Sequence, residues 1–444
     1  MLDDTSNSMN TKIAAISVAM IVVVAGVAVF LVTSPGDESE PVDVQASLSI
    51  YGNVNGDYVI DNDDVELIGS IIDGQEDVDK YPLADANNDG AVDRDDEDFI
   101  KSMISKENDY LYVLDDEDKT VKVNYPLRKT VLAGTNVLTT AMLVGATDYI
   151  LGFPSSSYPV IHKPLFDEDK MLGGTILDMN TDAAMDNFMK LDQECGGLDA
   201  VIALPGKSYL KTSAEFISGA GIPIIRLDPR YGWDSIDGAL TMGYMYGEET
   251  EKISQKFAEL TFKYLEDIED KVSKITDKKT YLSVAAGSNI GQLDSVYNKV
   301  CDYAGGTPIA NIPGDSAEKI EIGSEGYKNY DPDFIISFRT LDYSIDHVHA
   351  INGSVTTPAD EWKSYQSYWE DMDCYKDLHY VNLAMPVIAQ IAYVAEILYP
   401  EEFGEGYGDK VHQEFVDNFM KYLGEDFDVS TDMTTTFGYE DIYG

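Results

Sequence analysis

With 80 acidic against 31 basic side chains in 444 residues, the chain carries a formal charge of −49 at pH 7, which excludes nucleic acid as a partner because phosphate contacts need a basic face. The length exceeds one ordinary core, so two or three domains are expected, and a hydrophobic fraction of 44% supports globular folding rather than disorder. The acid excess reads as a surface adapted to salt or acid rather than a specific binding face. Three scattered cysteines, Cys195, Cys301 and Cys374, form no CxxC or Cys/His cluster and are expected to be buried small hydrophobes.

In chain order, the first predicted element is the run Ile13–Val32, uninterrupted by charge and long enough to span a bilayer as a helix. It exceeds a usual signal-peptide core and no clear A-x-A site follows, so residues 1–33 are expected to anchor the chain in a membrane with the rest outside. Lys12 on one flank and the acidic segment Asp37–Asp43 on the other agree with that orientation. Residues 34–45 read as a polar tether bearing Pro and Gly.

Residues 46–106 hold an internal duplication. Asn53, Asn55, Asp57, Asp61 and Asp64 stand at positions 1, 3, 5, 9 and 12 of one loop, with the Val59 carbonyl at position 7; Asp85, Asn87, Asp89, Asp93 and Asp96, with the Ala91 carbonyl, repeat the spacing. This is the arrangement by which an EF-hand-type loop wraps Ca2+ in oxygens. Each loop leads into an apolar-periodic helix, with Val65, Leu67, Ile68, Ile71 and Ile72 in the first and Phe99, Ile100, Met103 and Ile104 in the second. The pair resembles a type I dockerin domain, whose pattern is roughly D-x-N-x-D-G with Asp at position 12. The second loop fits closely. The first departs at Asn53, where Asp is usual, and at Tyr58, where Gly is usual. It should bind Ca2+ less well, and Tyr58 requires either a positive φ or an adjusted turn. Acid-rich surface turns are the plainer reading of these loops; the tandem repeat with two helices favours metal. A Ca2+ site here implies an extracellular context.

From residue 107 onward, strand-like apolar runs alternate with helical segments, the signature of α/β architecture. Tyr110–Asn124 reads as a hairpin turning at Asp115–Asp118. Strands are predicted at Thr130–Ala133, Tyr149–Phe153, Ala200–Leu204 and Pro223–Leu227. Ser235–Ile275 then runs without Pro at helical spacing and is expected to be one long helix. The pattern restarts with strands at Tyr281–Ala286, Pro308–Asn311 and Phe334–Phe338, and ends in helices at Pro386–Leu398 and Gln413–Leu423. The organisation expected is an N-terminal lobe over residues 107–238, a connecting helix over 239–276 and a C-terminal lobe over 277–444.

The ordered series "YVLDDEDKTVKVNYPLRKTVLAG", "AMLVGATDYILGF", "LDAVIALPG", "GAGIPIIRLD", "YDPDFIISF" and "PVIAQIAYVAEILYPEEF" resembles the substrate-binding proteins of ABC importers for siderophores, haem and cobalamin (the class III, or periplasmic-binding-protein-2, fold). That resemblance implies two Rossmann-like lobes joined by a long helix, a metal-chelate ligand held between them, delivery to an ABC permease docked through acidic patches on each lobe, and no catalysis. Ligand-facing residues are expected after the C-terminal ends of strands: Thr135, Asn136, Ser156, Tyr158, Lys207 and Tyr209 in the first lobe, and Ser288, Asn289 and Arg339 in the second, with Tyr380 in the turn before the terminal helix. Asn136 and Ser288 equally suit helix capping, and Tyr158 and Tyr209 equally suit rim aromatics. Arg339, a cation ending an apolar strand, suits a carboxylate, catecholate or phosphate, with a structural ion pair as the alternative. His347 and His349 would share a face on a strand and could ligate a metal, or stand solvated in a loop.

No G-x-S-x-G, H-E-x-x-H, Walker A or G-x-G-x-x-G occurs. Since dockerins often ride on carbohydrate-active enzymes, an extracellular glycan-degrading enzyme is one rival reading. A surface scaffold or adhesion component docked to a cohesin-type protein is another.

Overall fold

The structure, a computed structural model, describes residues 30–32, 42–44, 47–154, 168–175, 177–206, 209–229, 234–285, 289–291, 293, 295–310, 320–321, 326–339, 348–349 and 355–444. Most of the expected anchor and tether lies outside these residues. Its end differs from the expectation of a continuous helix: β1 (Phe30–Val32) pairs antiparallel with β2 (Val42–Val44). Among the described residues no helix is long and apolar enough to cross a membrane.

Both helices expected in residues 46–106 form. Helices α1 (Asn62–Ile72) and α2 (Arg94–Ile104) each begin in a capping box: Asp61 and Asp93 are the N-caps, and Asp64 and Asp96 reach back to the cap amides. The Asp-x-x-Asp spacing supplies both halves of each box. Helix α1 buries Ile68 and Ile71, and α2 buries Ile100 and Met103. The module does not stand apart: its apolar side chains belong to one continuous core with the N-terminal lobe and the connecting helices. Ile50 bridges Val113 on the hairpin of β3 (Tyr110–Leu114) and β4 (Thr120–Asn124), and Phe99 stacks on Tyr110 with centroids 5.0 Å apart.

In the N-terminal lobe, β5 (Thr130–Ala133), β6 (Ile150–Gly152), β7 (Ala200–Ala203) and β8 (Ile224–Arg226) form a parallel sheet in the order β6-β5-β7-β8. Every residue of β5 and β7 is buried, as expected of parallel strands covered on both faces. Helices α3 (Thr135–Leu143), α4 (Asp182–Cys195) and α5 (Ala214–Gly219) make the crossovers.

The long helix expected over Ser235–Ile275 is two helices. Helix α6 (Asp234–Tyr246) ends at Gly247, which takes a φ of 107°, and α7 (Glu248–Val272) follows. The two pack tightly: a Cβ on Gly243 would lie 2.5 Å from the Ser254 Cβ and 2.8 Å from the Thr250 carbonyl oxygen. Gly243→Val should therefore cost about 2–3 kcal/mol by overpacking, measured by urea denaturation. A loss below ~0.5 kcal/mol would mean that the pair separates freely.

Helix α7 leads into the second lobe, where Phe257 meets Phe415 and Phe419 edge-on at 5.6 and 5.4 Å. The second sheet is built on parallel β9 (Thr280–Ala285), β13 (Phe334–Arg339) and β16 (Leu378–Asn382). Among the described residues it is completed by antiparallel β10 (Asn289–Ile290), β12 (Ile320–Glu321) and β17 (Thr436–Gly438), and by β11 (Thr307–Pro308) parallel to β9. A separate short ladder joins β14 (Val348–His349) and β15 (Val355–Thr356). Helices α8 (Val296–Tyr303), α9 (Pro358–Tyr365), α10 (Val387–Leu398) and α11 (Tyr407–Phe419) cover the sheet.

Candidate functional site

The strands β5, β6, β7 and β8 of one lobe and β9, β13 and β16 of the other end where an α/β fold presents its ligand. Several expected residues in the following segments, Ser156, Tyr158, Lys207 and Ser288, lie outside the described residues, as do the side chains of Thr135, Asn289 and His349 and the whole of His347. Thr135 opens α3 and Asn289 opens β10. Gly134, with a φ of 122°, caps α3 and offers no side-chain bond to its first amides. Half-buried Asn136 therefore does not cap the helix; it sits in its first turn.

An arginine that sequence reasoning passed over organises the edge of the first lobe. Arg226 ends β8 and is 8% exposed. Its Nη1 donates to the carbonyls of Leu204 at 3.0 Å and Tyr209 at 3.1 Å. Glu117 Oε1 lies 4.0 Å from its Nε and accepts from the Gly206 amide at 3.0 Å. Tyr209 thus holds Arg226 through its backbone while its ring packs on the core. The signal that selects Arg339, a cation ending an apolar strand, selects Arg226 equally.

In the second lobe the structural ion pair, the alternative for Arg339, is what forms, and the expectation for Tyr380 is corrected. Arg339 is 6% exposed, and its Nε lies 2.5 Å from Oε1 of Glu361 on α9, itself 3% exposed. The guanidinium is engaged in a buried ion pair and stands 5.7 Å from the Tyr365 ring. Tyr380 is fully buried and stacks on Phe437 with centroids 4.5 Å apart, because β16 turns it into an aromatic core with Trp362 and Trp369. It is core, not cleft. Its neighbour Asn382 shapes the turn before α10, donating to the Thr434 carbonyl at 3.0 Å and accepting from the Ala384 amide at 2.8 Å.

The two loops of the module differ from each other. In the second, Asp85 accepts from the amides of Asp89 at 3.0 Å and Gly90 at 2.9 Å. Asn87 accepts from Asp89, Asp89 from Ala91, and Asp96 from Asn87 and Asp93. Positive φ falls at Asn88 and Gly90. In the first loop Tyr58 keeps an ordinary φ, and Gly56, with a φ of 74°, carries the turn. Asn53 accordingly points its Nδ2 at the carbonyls of Leu48 at 2.8 Å and Asp57 at 2.7 Å, leaving its Oδ1 buried without a partner. Asn55 donates to Asp57 at 2.8 Å, and Asp57 accepts from Val59. Asp64 accepts from Val54 at 2.6 Å, Asn55 at 3.1 Å and Asp61 at 2.9 Å. Asp61 and Asp93 spend one oxygen each on capping.

Asp64 is fully buried, and burial pushes its carboxyl up to about 7 against the three amide bonds that favour the carboxylate. Burial also raises Asp57 and Asp96. No lysine or arginine among the described residues neutralises Asp57 or Asp64. Buried carboxylates without a counter-charge are costly, and an all-oxygen donor set is the chemistry a hard cation takes. Among the described residues no three His, Cys, Asp or Glu side chains close on one point. The donor sets here are mixed, with Asn53, Asn55, Asn87 and the carbonyls of Val59 and Ala91 beside the carboxylates.

No known family and no curated protein matches the chain by sequence. Solved structures do. A periplasmic solute-binding protein from Veillonella parvula is 16% identical over 73% of this chain and 96% of its own, with a TM-score of 0.52. Helicobacter pylori CeuE in complex with Ni-His is 12% identical over 72% and 98%, also at 0.52. The Haemophilus influenzae molybdate-binding protein MolA, bound to molybdate, is 14% identical over 70% and 98%, at 0.50. The chain has the fold of the periplasmic solute-binding proteins. It contains nearly the whole of theirs, while more than a quarter of its own length has no counterpart in them.

Proposed function

We propose that the chain captures a metal chelate, a ferric siderophore-like complex or a corrinoid, between its two lobes and hands it to an ABC permease. It acts at the outer face of the cytoplasmic membrane, tethered through the apolar run 13–32, and it is a binding protein, not an enzyme. The observation that carries this reading is the pair of parallel-sheet lobes joined by α7, on a fold whose solved examples are named for solutes such as Ni-His and molybdate. Native mass spectrometry of protein from its own source, followed by titration of the tryptophan fluorescence with ferric chelates, corrinoids, Ni-His and molybdate, tests it. Saturable binding is expected; the absence of a response to every one of them, or release of reducing sugar from polysaccharide, would sink it.

The module is proposed to bind two Ca2+. Asn53, Asn55, Asp57, Asp61, Asp64 and the Val59 carbonyl hold one; Asp85, Asn87, Asp89, Asp93, Asp96 and the Ala91 carbonyl hold the other. Asp89→Ala should lower affinity at the second loop about tenfold or more by removing a charged donor, read by calorimetric titration as the loss of one of two sites. An unchanged isotherm would rule that loop out. A cohesin-type partner is the alternative use of this module, but Phe99 seated on Tyr110 and Tyr58 facing Phe262 favour a role within the chain.

A further inference from the structure

The first loop is built into the machinery that joins the lobes. Leu48 is held by Asn53 Nδ2 at 2.8 Å and donates its own amide to the Asp57 carbonyl at 2.9 Å. The residues on either side of Leu48 are held by α6: the Ser47 amide donates to Asp237 at 2.9 Å and the Ser49 amide to Thr241 at 3.1 Å. One short segment is therefore gripped by the loop and by α6 at once. On its other side the loop reaches α7, where Tyr58 faces Phe262 at 6.3 Å between centroids. The chain just after α2 closes the contact: Lys106 pairs with Glu251 of α7 at 2.5 Å and lies 4.2 Å over the ring of Tyr244 on α6. Asn53, Asp57 and Asp64 are 1, 8 and 0% exposed, whereas Asp89, Gly90, Ala91 and Asp93 of the second loop face solvent.

From this geometry we infer that Ca2+ in the first loop is a brace for the solute-binding lobes: occupancy of Asn53–Asp64 fixes the Leu48 segment and Tyr58, and through them sets the stability of the α6–α7 pair that joins the lobes. The inference rests on the Ca2+ reading of that loop. The unpartnered, buried Asn53 Oδ1 is the oxygen the cation would engage. Tyr58, where a loop of this kind usually has glycine, becomes functional: it is the contact with α7, and the loop keeps it by moving the turn to Gly56. A ligand that binds only the folded state raises stability wherever its site belongs to the cooperative unit. The brace therefore predicts that Ca2+ at the module protects the far lobe.

The far lobe holds two of the three indoles, Trp362 and Trp369, both fully buried, and a Trp233→Phe background removes the third so that the signal reports that lobe alone. Full-length protein is melted by tryptophan fluorescence with saturating Ca2+ and with chelator, while Ca2+ binding is followed separately by calorimetry. The expected result is that Ca2+ raises the tryptophan-reported midpoint by about 5 °C, and that Asp64→Asn abolishes the rise although the second loop is intact. Tyr58→Ala should keep two calorimetric Ca2+ sites yet lose most of the rise. Should Asp64→Asn fail to fold, wild type with and without chelator, together with Tyr58→Ala, still decides the matter. Two bound Ca2+ with an unmoved tryptophan midpoint overturns the brace and leaves the metal reading standing. No Ca2+ binding at the first loop overturns both.

Discussion

Replacing Glu361 by alanine should destabilise the protein by about 3–5 kcal/mol, the loss expected when one partner of a buried ion pair is removed and the other is left charged. The residue left behind is Arg339, 6% exposed and next to Tyr365, a contact too weak to replace a carboxylate. The opposite experiment separates stability from recognition. A double variant carrying Arg339→Met and Glu361→Leu removes both charges from an apolar surround and should recover most of the loss. Urea denaturation reads both. If Glu361→Ala costs less than ~1 kcal/mol, the pair is solvated and Arg339 is open to ligand after all. If the double variant is stable and still binds its solute, Arg339 is structural. If it is stable and no longer binds, the guanidinium faces the solute from within its pair.

Most parallel strands of both lobes were legible because short apolar runs bounded by Gly, Pro or Asp allow few other arrangements, but β16 was not foreseen and the strand expected at Pro308–Asn311 lies at Thr307–Pro308. Predicted and observed limits for Thr130–Ala133 coincide, and those for Ala200–Ala203 and Phe334–Arg339 differ by a single residue at the C-terminus. The connector was misread because the stretch holds no Pro and the polar run Gly247–Lys252, which interrupts the apolar spacing between Tyr246 and Ile253, also suits an exposed helix face. The positive φ of Gly247 within that run folds α6 back on α7. Arg339 was found but its state was not, since Glu361 is one acid among 80 and nothing in sequence marks it as the partner. Tyr380 was misplaced because the run Leu378–Asn382 was read as the turn before the terminal helix, whereas it forms β16 with Tyr380 at its centre, packed on Phe437, Trp362 and Trp369. In the module the sequence marked Tyr58 as the residue that needs a positive φ or an adjusted turn, and the turn is adjusted at Gly56. Its consequence, the contact with Phe262, depends on a chain segment some two hundred residues away.

Acid should weaken the fold through His412. The residue sits on α11, fully buried, edge-on to Tyr393 at 6.1 Å, and Tyr393 in turn bonds Asp409 at 2.7 Å. Burial disfavours the imidazolium and pushes the folded-state pKa from 6.5 down to about 3. In the unfolded chain the ring protonates near pH 6.5, so between those two values the unfolded state binds the additional proton and stability falls as pH falls. Above about pH 7 both states are neutral and the contribution is flat. Each pH unit within the window costs about 1.4 kcal/mol, so lowering pH from 6.5 to 4.5 should remove about 2.5 kcal/mol through this one group. Carboxylates add slopes of their own; Asp333, held low by the backbone and hydroxyl of Thr280, loses its contribution at lower pH still. The difference between wild type and His412→Gln isolates the histidine, because the variant keeps a polar side chain of similar reach and does not titrate. Urea midpoints at pH 7.5, 6.5, 5.5 and 4.5 should show wild type ahead at neutral pH and the gap closing by about 2.5 kcal/mol at pH 4.5. A gap that stays constant over that range would mean that the ring titrates alike in the folded and unfolded states, as a hydrated imidazole does.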